Sequence, residues 1–261
     1  MEQVSSDQRI GGLGCRVDSK ALPTTTFREL PDNTALRQCA LFAGMTAPDC
    51  ASVLGGGREK IFQRRDTLFL EDDSVRQIIL LIAGSVKITQ LGVNGSEVIL
   101  RVTCAGELVD SFGSFPAGNH YATGQALQYC RALVWDPPAF QMLLQRFPAM
   151  QTNLLRILGD RLRELEQRFR ELATEKVAAR VANQLLRLLP QMGRRMQGTV
   201  KISLSREELA QMTGTTLFTI SRLLCLWEGQ GIVEPRREAV LICDTERLAA
   251  VAATDMDTLS A

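Results

Sequence analysis

The hydrophobic residues of this chain of 261 residues change their spacing along its length. From Arg58 to Trp135, short runs rich in Val, Ile, Leu and Phe alternate with Gly-containing breaks, which is typical of β-strands joined by tight turns. From about Met150 onwards, apolar residues recur at intervals of three and four, which is the period of an amphipathic helix. The pattern therefore predicts an α+β fold in which an N-terminal antiparallel β-roll precedes a helical C-terminal half.

Turn residues separate the predicted strands of the roll. Asn94-Gly95 is the strongest hairpin signal, because both residues tolerate a positive φ. The strand segments are KIFQ, TLFLE, QIILLI, SVKITQL, EVILRVT, YATGQAL and ALVWD. We assign residues 29–147 to this domain, with short helices at its start. Residues 1–28, rich in Ser, Gly and Thr without periodicity, are predicted to form a mobile tail.

A long helix is predicted next, over residues 148–173. Its apolar residues alternate intervals of three and four, as in a coiled-coil seam: Leu155, Leu158, Leu162, Leu165, Phe169 and Leu172. Charged residues flank this narrow stripe, which favours pairing with the same helix of a second copy, so we expect a homodimer. The alternative is that the stripe packs against the chain's own roll. Thr174 then starts a further helix with the core residues Val177, Val181, Leu185 and Leu188.

The last predicted domain, residues 174–261, contains the start and stop signals of a helix-turn-helix. Ser205 followed three residues later by Glu208 is a capping box at the start of one helix. Gly214 ends that helix, because glycine accepts the positive φ that a helix end often needs. The cap of the second helix is Thr215 or Thr216.

The second helix is the predicted DNA-reading element. Its apolar face comprises Leu217, Ile220, Leu223, Leu224 and Trp227, and Cys225 is expected in the core among them. In a helix-turn-helix the N-terminal part of the second helix enters the major groove, where Arg donates two hydrogen bonds to guanine. Arg222 is therefore the strongest candidate for base readout. The alternative is an ordinary helical hairpin in which Arg222 is a solvated charge.

Two short strands, at residues 232–234 and 239–242, follow the second helix and predict a wing. Arg236 and Arg237 at its tip would contact phosphates, which adds affinity without sequence information. The complete predicted DNA-binding set is Thr215, Thr216, Leu217, Phe218, Thr219, Ser221, Arg222, Arg236 and Arg237.

Composition agrees with this domain order. The formal net charge is only +1, but residues 1–140 hold 13 Lys and Arg against 15 Asp and Glu, whereas residues 141–261 hold 17 against 14. The positive surplus thus lies in the half with the helix-turn-helix, as nucleic-acid binding requires. No apolar run approaches the ~18 residues that span a membrane. The seven cysteines do not suggest a disulfide framework, so we expect a cytoplasmic protein.

The sequence contains no catalytic constellation. It lacks a phosphate loop and a paired metal motif, and its one histidine argues against a histidine-based triad. We therefore expect a regulator without enzymatic chemistry. The alternative is a ligand-sensing scaffold whose C-terminal domain contacts protein rather than DNA.

The order of roll, long helix and winged helix resembles the CRP/FNR superfamily of bacterial transcription regulators over about residues 30–250. The resemblance is carried by LFAGMTAPD, LLIAGSVKI, AGELVD, the long helix and LSREELAQMTGTTLFTISRLL. It implies a cyclic-nucleotide-binding-like roll and a homodimer that reads a palindromic operator in double-stranded DNA. It also implies RNA polymerase as a partner, and recognition helices that move when a small signal binds or reacts.

Within the recognition helix the resemblance is partial. Ser221 and Arg222 match the family pattern, whereas Phe218 stands where the family usually has a base-reading Glu. Phe218 could touch a thymine methyl instead of a cytosine amino group. The run Thr-Leu-Phe-Thr at 216–219 resembles the branch that responds to nitrogen oxides.

The effector site departs from the cyclic-AMP pattern. Cyclic-nucleotide members hold the ligand with a Gly-Glu pair and a later Arg-Ser pair, and alignment places Asp110-Ser111 and Tyr121-Ala122 at these positions. Because no guanidinium faces the phosphate, cyclic AMP is disfavoured as the effector. The residues assigned to the effector pocket are Asp110, Ser111, His120 and Tyr121.

The cysteines and the single histidine are candidate ligands for two metal cofactors. An iron–sulfur cluster needs four thiolates, and Cys15, Cys39 and Cys50, with Cys104 or Cys130 as the fourth, are too widely spaced to favour one. Small apolar packing is the preferred interpretation of Cys39 and Cys50. Haem, as in a nitric oxide sensor, needs an axial ligand, for which His120 is the obvious candidate. The alternative is that His120 is a hydrated loop residue.

Overall fold

The computed structural model describes residues 39–109 and 118–253. The predicted tail, Cys15, Asp110 and Ser111 lie outside these residues. Within them, no helix is both long enough and apolar enough to cross a membrane.

The described residues from Arg58 to Trp135 fold into a β-roll, which confirms the predicted architecture. Its strands are β1 (Arg58–Phe62), β2 (Thr67–Phe69), β3 (Ile78–Ala83), β4 (Ser85–Leu91), β5 (Glu97–Cys104), β6 (Leu108–Val109), β7 (Thr123–Ala126) and β8 (Cys130–Trp135). They form two antiparallel sheets with the orders β1-β8-β3-β6 and β2-β7-β4-β5. The sequence pattern missed β6, because two residues are too short to show a period.

The β4–β5 hairpin contains the predicted Asn94-Gly95 turn in a longer loop. The strands end at Leu91 and resume at Glu97, and the Gly95 N–H donates to the Gly92 carbonyl at 2.8 Å. Gly95 has φ +77°. One positive-φ residue is therefore enough here, because a five-residue loop turns the chain less sharply than a two-residue loop.

Short helices cover one end of the roll and lead into a long one. They are a 3-10 turn at Ala40–Phe42, then α1 (Ala47–Gly55), α2 (Pro137–Arg146) and α3 (Pro148–Thr174). The Asn153 side chain in α3 donates to the carbonyls of Leu41 and Ala43 at 2.9 and 2.8 Å. Further along, Arg161 donates to the Leu108 carbonyl at 2.7 Å. These bonds attach α3 to its own roll along one side.

The C-terminal part contains α4 (Val177–Met192), β9 (Arg194–Met196), β10 (Thr199–Ile202), α5 (Arg206–Thr213), α6 (Leu217–Gly229), β11 (Val233–Arg236), β12 (Ala239–Ile242) and α7 (Thr245–Ala253). The wing belongs to a four-stranded sheet with the order β11-β12-β10-β9, of which the sequence pattern predicted two strands. As predicted, Val181, Leu185 and Leu188 of α4 lie in the core, with Val177 packed at its edge.

The prediction that Thr174 starts α4 is wrong. Thr174 is the last residue of α3, where its hydroxyl donates to the Arg170 carbonyl at 2.8 Å, and α4 begins at Val177. A threonine hydroxyl can bond to the carbonyl four residues earlier in its own helix, or it can cap the start of a following helix. The position of Thr174 in the sequence therefore did not show whether it ends α3 or starts α4.

Candidate functional site

The helix-turn-helix has the capping interactions that its sequence predicts. The Ser205 hydroxyl accepts a hydrogen bond from the Glu208 N–H at 3.1 Å, and the Glu208 carboxylate accepts one from the Ser205 N–H at 2.7 Å. Gly214, directly after α5, has φ +62°. Thr216 rather than Thr215 caps α6, because its hydroxyl accepts from the Thr219 N–H at 3.2 Å.

The buried face of α6 consists of Ile220, Leu223, Leu224 and Trp227. The prediction that Leu217 and Cys225 join this face is wrong, because Leu217 is 51% exposed and Cys225 is exposed as well. Leu217 is the first residue of the helix, and side chains of a helix lean toward its N-terminus, away from the domain body. Cys225 lies five residues after Ile220, about 140° round the helix.

The outer face of α6 brings together the predicted reading residues. Phe218 is 76% exposed, and Arg222 lies one turn later on the same face and is also exposed. Ser221 is half-buried beside them. The Thr219 hydroxyl lies 3.0 Å from the Thr216 hydroxyl, so it belongs to the helix cap as well as to the surface. An aromatic ring and a guanidinium therefore project side by side.

The wing tip carries charge of both signs. Arg236 pairs with Ala239 across the hairpin and forms an ion pair with Glu234. Arg237 is exposed in the turn. Glu238 forms an ion pair at 2.9 Å with Arg64, in the β1–β2 turn of the roll, and this hydrogen bond lowers the pKa of the Glu238 carboxyl. This contact could not be predicted from the sequence, because its partners lie far apart along the chain.

The predicted seam residues lie on the surface of α3. All six are exposed, from 38% for Leu158 to 72% for Phe169; the others are Leu155, Leu162, Leu165 and Leu172. The roll side of α3 is instead occupied by Met150, Leu154 and Ile157, which pack into the roll core. The helix therefore has two apolar surfaces, of which the protomer covers one.

His120 and Tyr121 are the two predicted effector residues that the structure describes, and their side chains have different surroundings. The Tyr121 side chain is 43% exposed, and Ala122 is buried. His120 is 5% exposed, and its ring stacks on Phe69 with centroids 3.9 Å apart. The interpretation of His120 as a hydrated residue is therefore wrong. Burial lowers the pKa of its imidazole, which favours the neutral ring, although Asp73 opposes this shift.

A cavity of about 330 Å³ lies beside His120. Polar and charged residues supply most of its wall, including Lys60, Asp73, Ser74, Arg76 and Gln77. Such a wall does not fit a porphyrin, whose faces require apolar neighbours, and a haem ligated by His120 would also replace the stacking on Phe69. The residues present here therefore do not fit haem.

The thiols of the described residues differ in burial: Cys39, Cys104 and Cys130 are buried and Cys50 is half-buried. Burial raises the pKa of Cys39 to about 11 and of Cys104 to about 12, so both are protonated thiols near neutral pH. Cys225 and Cys243, in the C-terminal part, are exposed. Within residues 39–109 and 118–253, no group of three or more His, Cys, Asp or Glu side chains has a metal-binding arrangement.

A sensor-like roll, a long helix and a winged helix-turn-helix together define a DNA-binding regulator. A model of the cyclic nucleotide-binding domain matches residues 59–147, and a model of the Crp-like helix-turn-helix domain matches residues 179–251. The chain belongs to the CRP/FNR superfamily of transcription regulators, which confirms the family indicated by the sequence motifs.

The chain is similar to curated transcription regulators and to a solved structure. The chain is 27% identical over 216 residues to a CRP-like cAMP-activated global transcriptional regulator of Mycobacterium tuberculosis, covering 82% of this chain and 96% of the relative. It is 25% identical over 201 residues to the fumarate and nitrate reduction regulatory protein of Salmonella typhimurium, covering 75% and 78%. A CooA mutant from Carboxydothermus hydrogenoformans is similar in structure, with a TM-score of 0.61 at 26% identity over 77% of this chain and 90% of that one.

Thiol labelling tests this difference in burial among the cysteines. Because the thiolate is the reactive form, we expect iodoacetamide at pH 8 to modify Cys225 and Cys243 in the native protein and to leave Cys39 and Cys104 unmodified. Peptide mass spectrometry after a short reaction measures this, and the urea-unfolded protein, in which all four should react, is the control. Rapid native labelling of Cys39 or Cys104 would contradict the assigned burial.

Proposed function

We propose that this chain works as a homodimer that binds a palindromic operator and responds to a small signal other than cyclic AMP. The uncovered leucine stripe of α3 carries this proposal, since a helix that keeps six apolar residues in water needs a partner surface.

Geometry supports pairing through α3. The stripe runs from Leu155 to Leu172, about 25 Å at 1.5 Å per residue. Asn153 and Arg161 hold another face of the helix against the roll, so the stripe cannot turn inward without breaking their hydrogen bonds. Two-fold pairing of the stripe would place two copies of α6 in symmetric positions, as a palindromic operator requires.

Substitution in the middle of the stripe tests the dimer. We expect Leu162→Glu to give monomers, because the two-fold axis would place two buried carboxylates close together. Size-exclusion chromatography with light scattering measures the mass. Leu70→Glu is the matched control, since Leu70 is 52% exposed and lies on the roll, away from the stripe. A Leu162→Glu protein that stays dimeric would overturn the assigned interface.

The exposed face of α6 supports a particular kind of readout. Arg222 offers the fork of donors that pairs with the O6 and N7 atoms of guanine. Residues 215–222 contain no carboxylate that could accept from a cytosine amino group. The ring of Phe218, one turn from Arg222, is suited to contact a thymine methyl group. The preferred half-site should therefore combine a guanine with a nearby thymine.

Selection from a randomised duplex library tests this readout. We expect Arg222→Ala to remove the guanine preference at a cost of about 1–3 kcal/mol in binding to the selected duplex. Phe218→Glu should shift the neighbouring preference from thymine towards cytosine. Binding is measured by fluorescence anisotropy at several salt concentrations.

Arg237→Ala in the wing is the control for a phosphate contact. It should weaken all duplexes about equally and lower the salt slope by about 1. An unchanged sequence preference in Arg222→Ala would contradict the assignment of α6. A protein that shows no preference for any duplex sequence at moderate salt would instead favour a protein-binding role for this domain.

The pair Tyr121-Ala122 supports a signal other than cyclic AMP. At the positions where cyclic-nucleotide relatives have Arg and Ser, this chain has an exposed phenol ring and a buried methyl group. Neither can neutralise a phosphate. A nucleotide phosphate held at these two positions would have no cation opposite it, which is costly.

We therefore expect cyclic AMP to leave the affinity for the selected duplex unchanged within about twofold, well below the usual range for coupled sites of about 5- to 150-fold. Anisotropy titrations with and without the nucleotide measure this, and isothermal titration calorimetry measures direct binding. Tighter operator binding in the presence of cyclic AMP would contradict this part of the proposal.

We propose nitric oxide or a change in redox state as the class of signal, because residues 216–219 resemble the branch of the family that responds to nitrogen oxides. Because the residues around His120 do not fit haem, we expect the protein purified without oxygen to show no Soret band in its absorption spectrum, and such a band would contradict that conclusion.

A further inference from the structure

Three parts of the molecule meet at one side chain of α3, the guanidinium of Arg168. One of its terminal nitrogens donates to the Leu100 carbonyl in β5 of the roll. The other donates to the Met212 carbonyl at 3.1 Å, in the last turn of α5. A residue of the long helix thus bonds to the roll and to the DNA-reading domain at the same time.

The Met212 carbonyl lies at a position that favours a positively charged donor. Met212 and Thr213 are the last two residues of α5, where free carbonyls and the helix dipole concentrate negative charge. Arg180 of α4 donates to the Thr213 carbonyl at 3.4 Å and to the Glu175 carbonyl at 2.9 Å. Gly214 follows and turns the chain into α6, so the position of this helix end sets the position of the recognition helix.

The surroundings of Arg168 hold it in place. Glu171, one turn along α3, is 2% exposed and accepts a hydrogen bond from Arg187 of α4 at 2.7 Å. Burial and the nearby Arg187 lower the pKa of Arg168, while Glu164 and Glu171 oppose this shift. A guanidinium stays charged in proteins, so it requires its acceptors when it is taken out of water.

Apolar side chains supply another part of the contact between β5 and α5. Ile99, Val102 and Cys104 of β5 belong to the same hydrophobic cluster as Leu209 and Met212 of α5. Apolar contacts have little directional preference, whereas a hydrogen bond weakens steeply when its angle changes. The two bonds of Arg168 therefore fix how α5 sits on β5.

We propose that Arg168 is a positioning residue that couples the roll to the recognition helix. A displacement of β5 and a displacement of α6 then have to occur together, so a signal in the roll and DNA on α6 affect each other. This proposal rests on the proposed DNA-reading function, and it assigns the transmission of the signal to one side chain.

Amide hydrogen exchange of the full-length protein, with and without the duplex selected above, tests the coupling. In the wild type we expect the duplex to slow exchange in α6 and also in residues 97–104 of β5, by about 5- to 150-fold at the slowed amides. In Arg168→Gln the slowing in α6 should persist at saturating duplex, while that in β5 is lost, because one amide nitrogen cannot reach both carbonyls.

Two further variants separate positioning from general stability. Arg163→Gln lies on the same helix, where the exposed Arg163 pairs with Asp160, and should behave as the wild type. Arg168→Lys keeps the charge but cannot span both acceptors, so it should also lose the β5 response. In both Arg168 variants the salt slope of binding should stay unchanged, since Arg168 is proposed to contact no phosphate.

An equal β5 response in the wild type and both Arg168 variants would overturn the proposal. So would a wild type in which the duplex protects α6 and leaves β5 unaffected. If the duplex protects neither element in the wild type, the proposed DNA reading fails, and the coupling fails with it.

Discussion

Hydrogen bonds from α3 to main-chain carbonyls fix how this helix is rotated on its roll. Asn153, Arg161 and Arg168 all donate to carbonyls of residues 41–108, and they lie within about 80° of one another around the helix. Because a helix is rigid and repeats every 3.6 residues, fixing these three positions fixes the direction of every other side chain. The leucine stripe is left facing away from the roll, and the reading domain starts from the end of the same helix.

The magnitude of the apolar effect favours association through this stripe. Full burial of a Leu or Phe side chain contributes about 1.5–3 kcal/mol. The stripe side chains are 38–72% exposed in the protomer, so a two-fold dimer that covers all twelve would gain about 10–20 kcal/mol. This gain is comparable with or larger than the rotational and translational cost of association, about 4–15 kcal/mol. The charged flanks, such as Arg163 and Glu166, stay in water on either side. The protomer is therefore half of the proposed functional unit.

Local features were predictable from the sequence, and long-range contacts were not. The Ser205–Glu208 capping box and the positive φ of Gly214 follow from residue types within a few positions. The burial of His120 depends on Phe69, 51 positions earlier, and a turn sequence looks hydrated without that partner. In the sequence Arg168 is one of several charged residues beside the apolar stripe of α3. Its role could not be predicted, because its acceptors lie in β5 and α5, far away along the chain. The exposure of Cys225 shows that an apolar neighbourhood in sequence does not place a residue on the buried side of a helix.

Two polar links join the roll to the reading domain, and they differ in strength. The Arg64–Glu238 pair at the wing tip is about half exposed on both sides, so solvent screens it, and it opposes displacement of the wing only weakly. Arg168 is half-buried and bonds to two carbonyls, so breaking its contacts leaves a desolvated charge. If a DNA phosphate contacts Arg237 as proposed, the wing can move away from Arg64 at little cost, while the proposed role of Arg168 keeps α5 and α6 in position. In this proposal the contact of the wing with the roll can change, whereas Arg168 of α3 determines the position of the recognition helix.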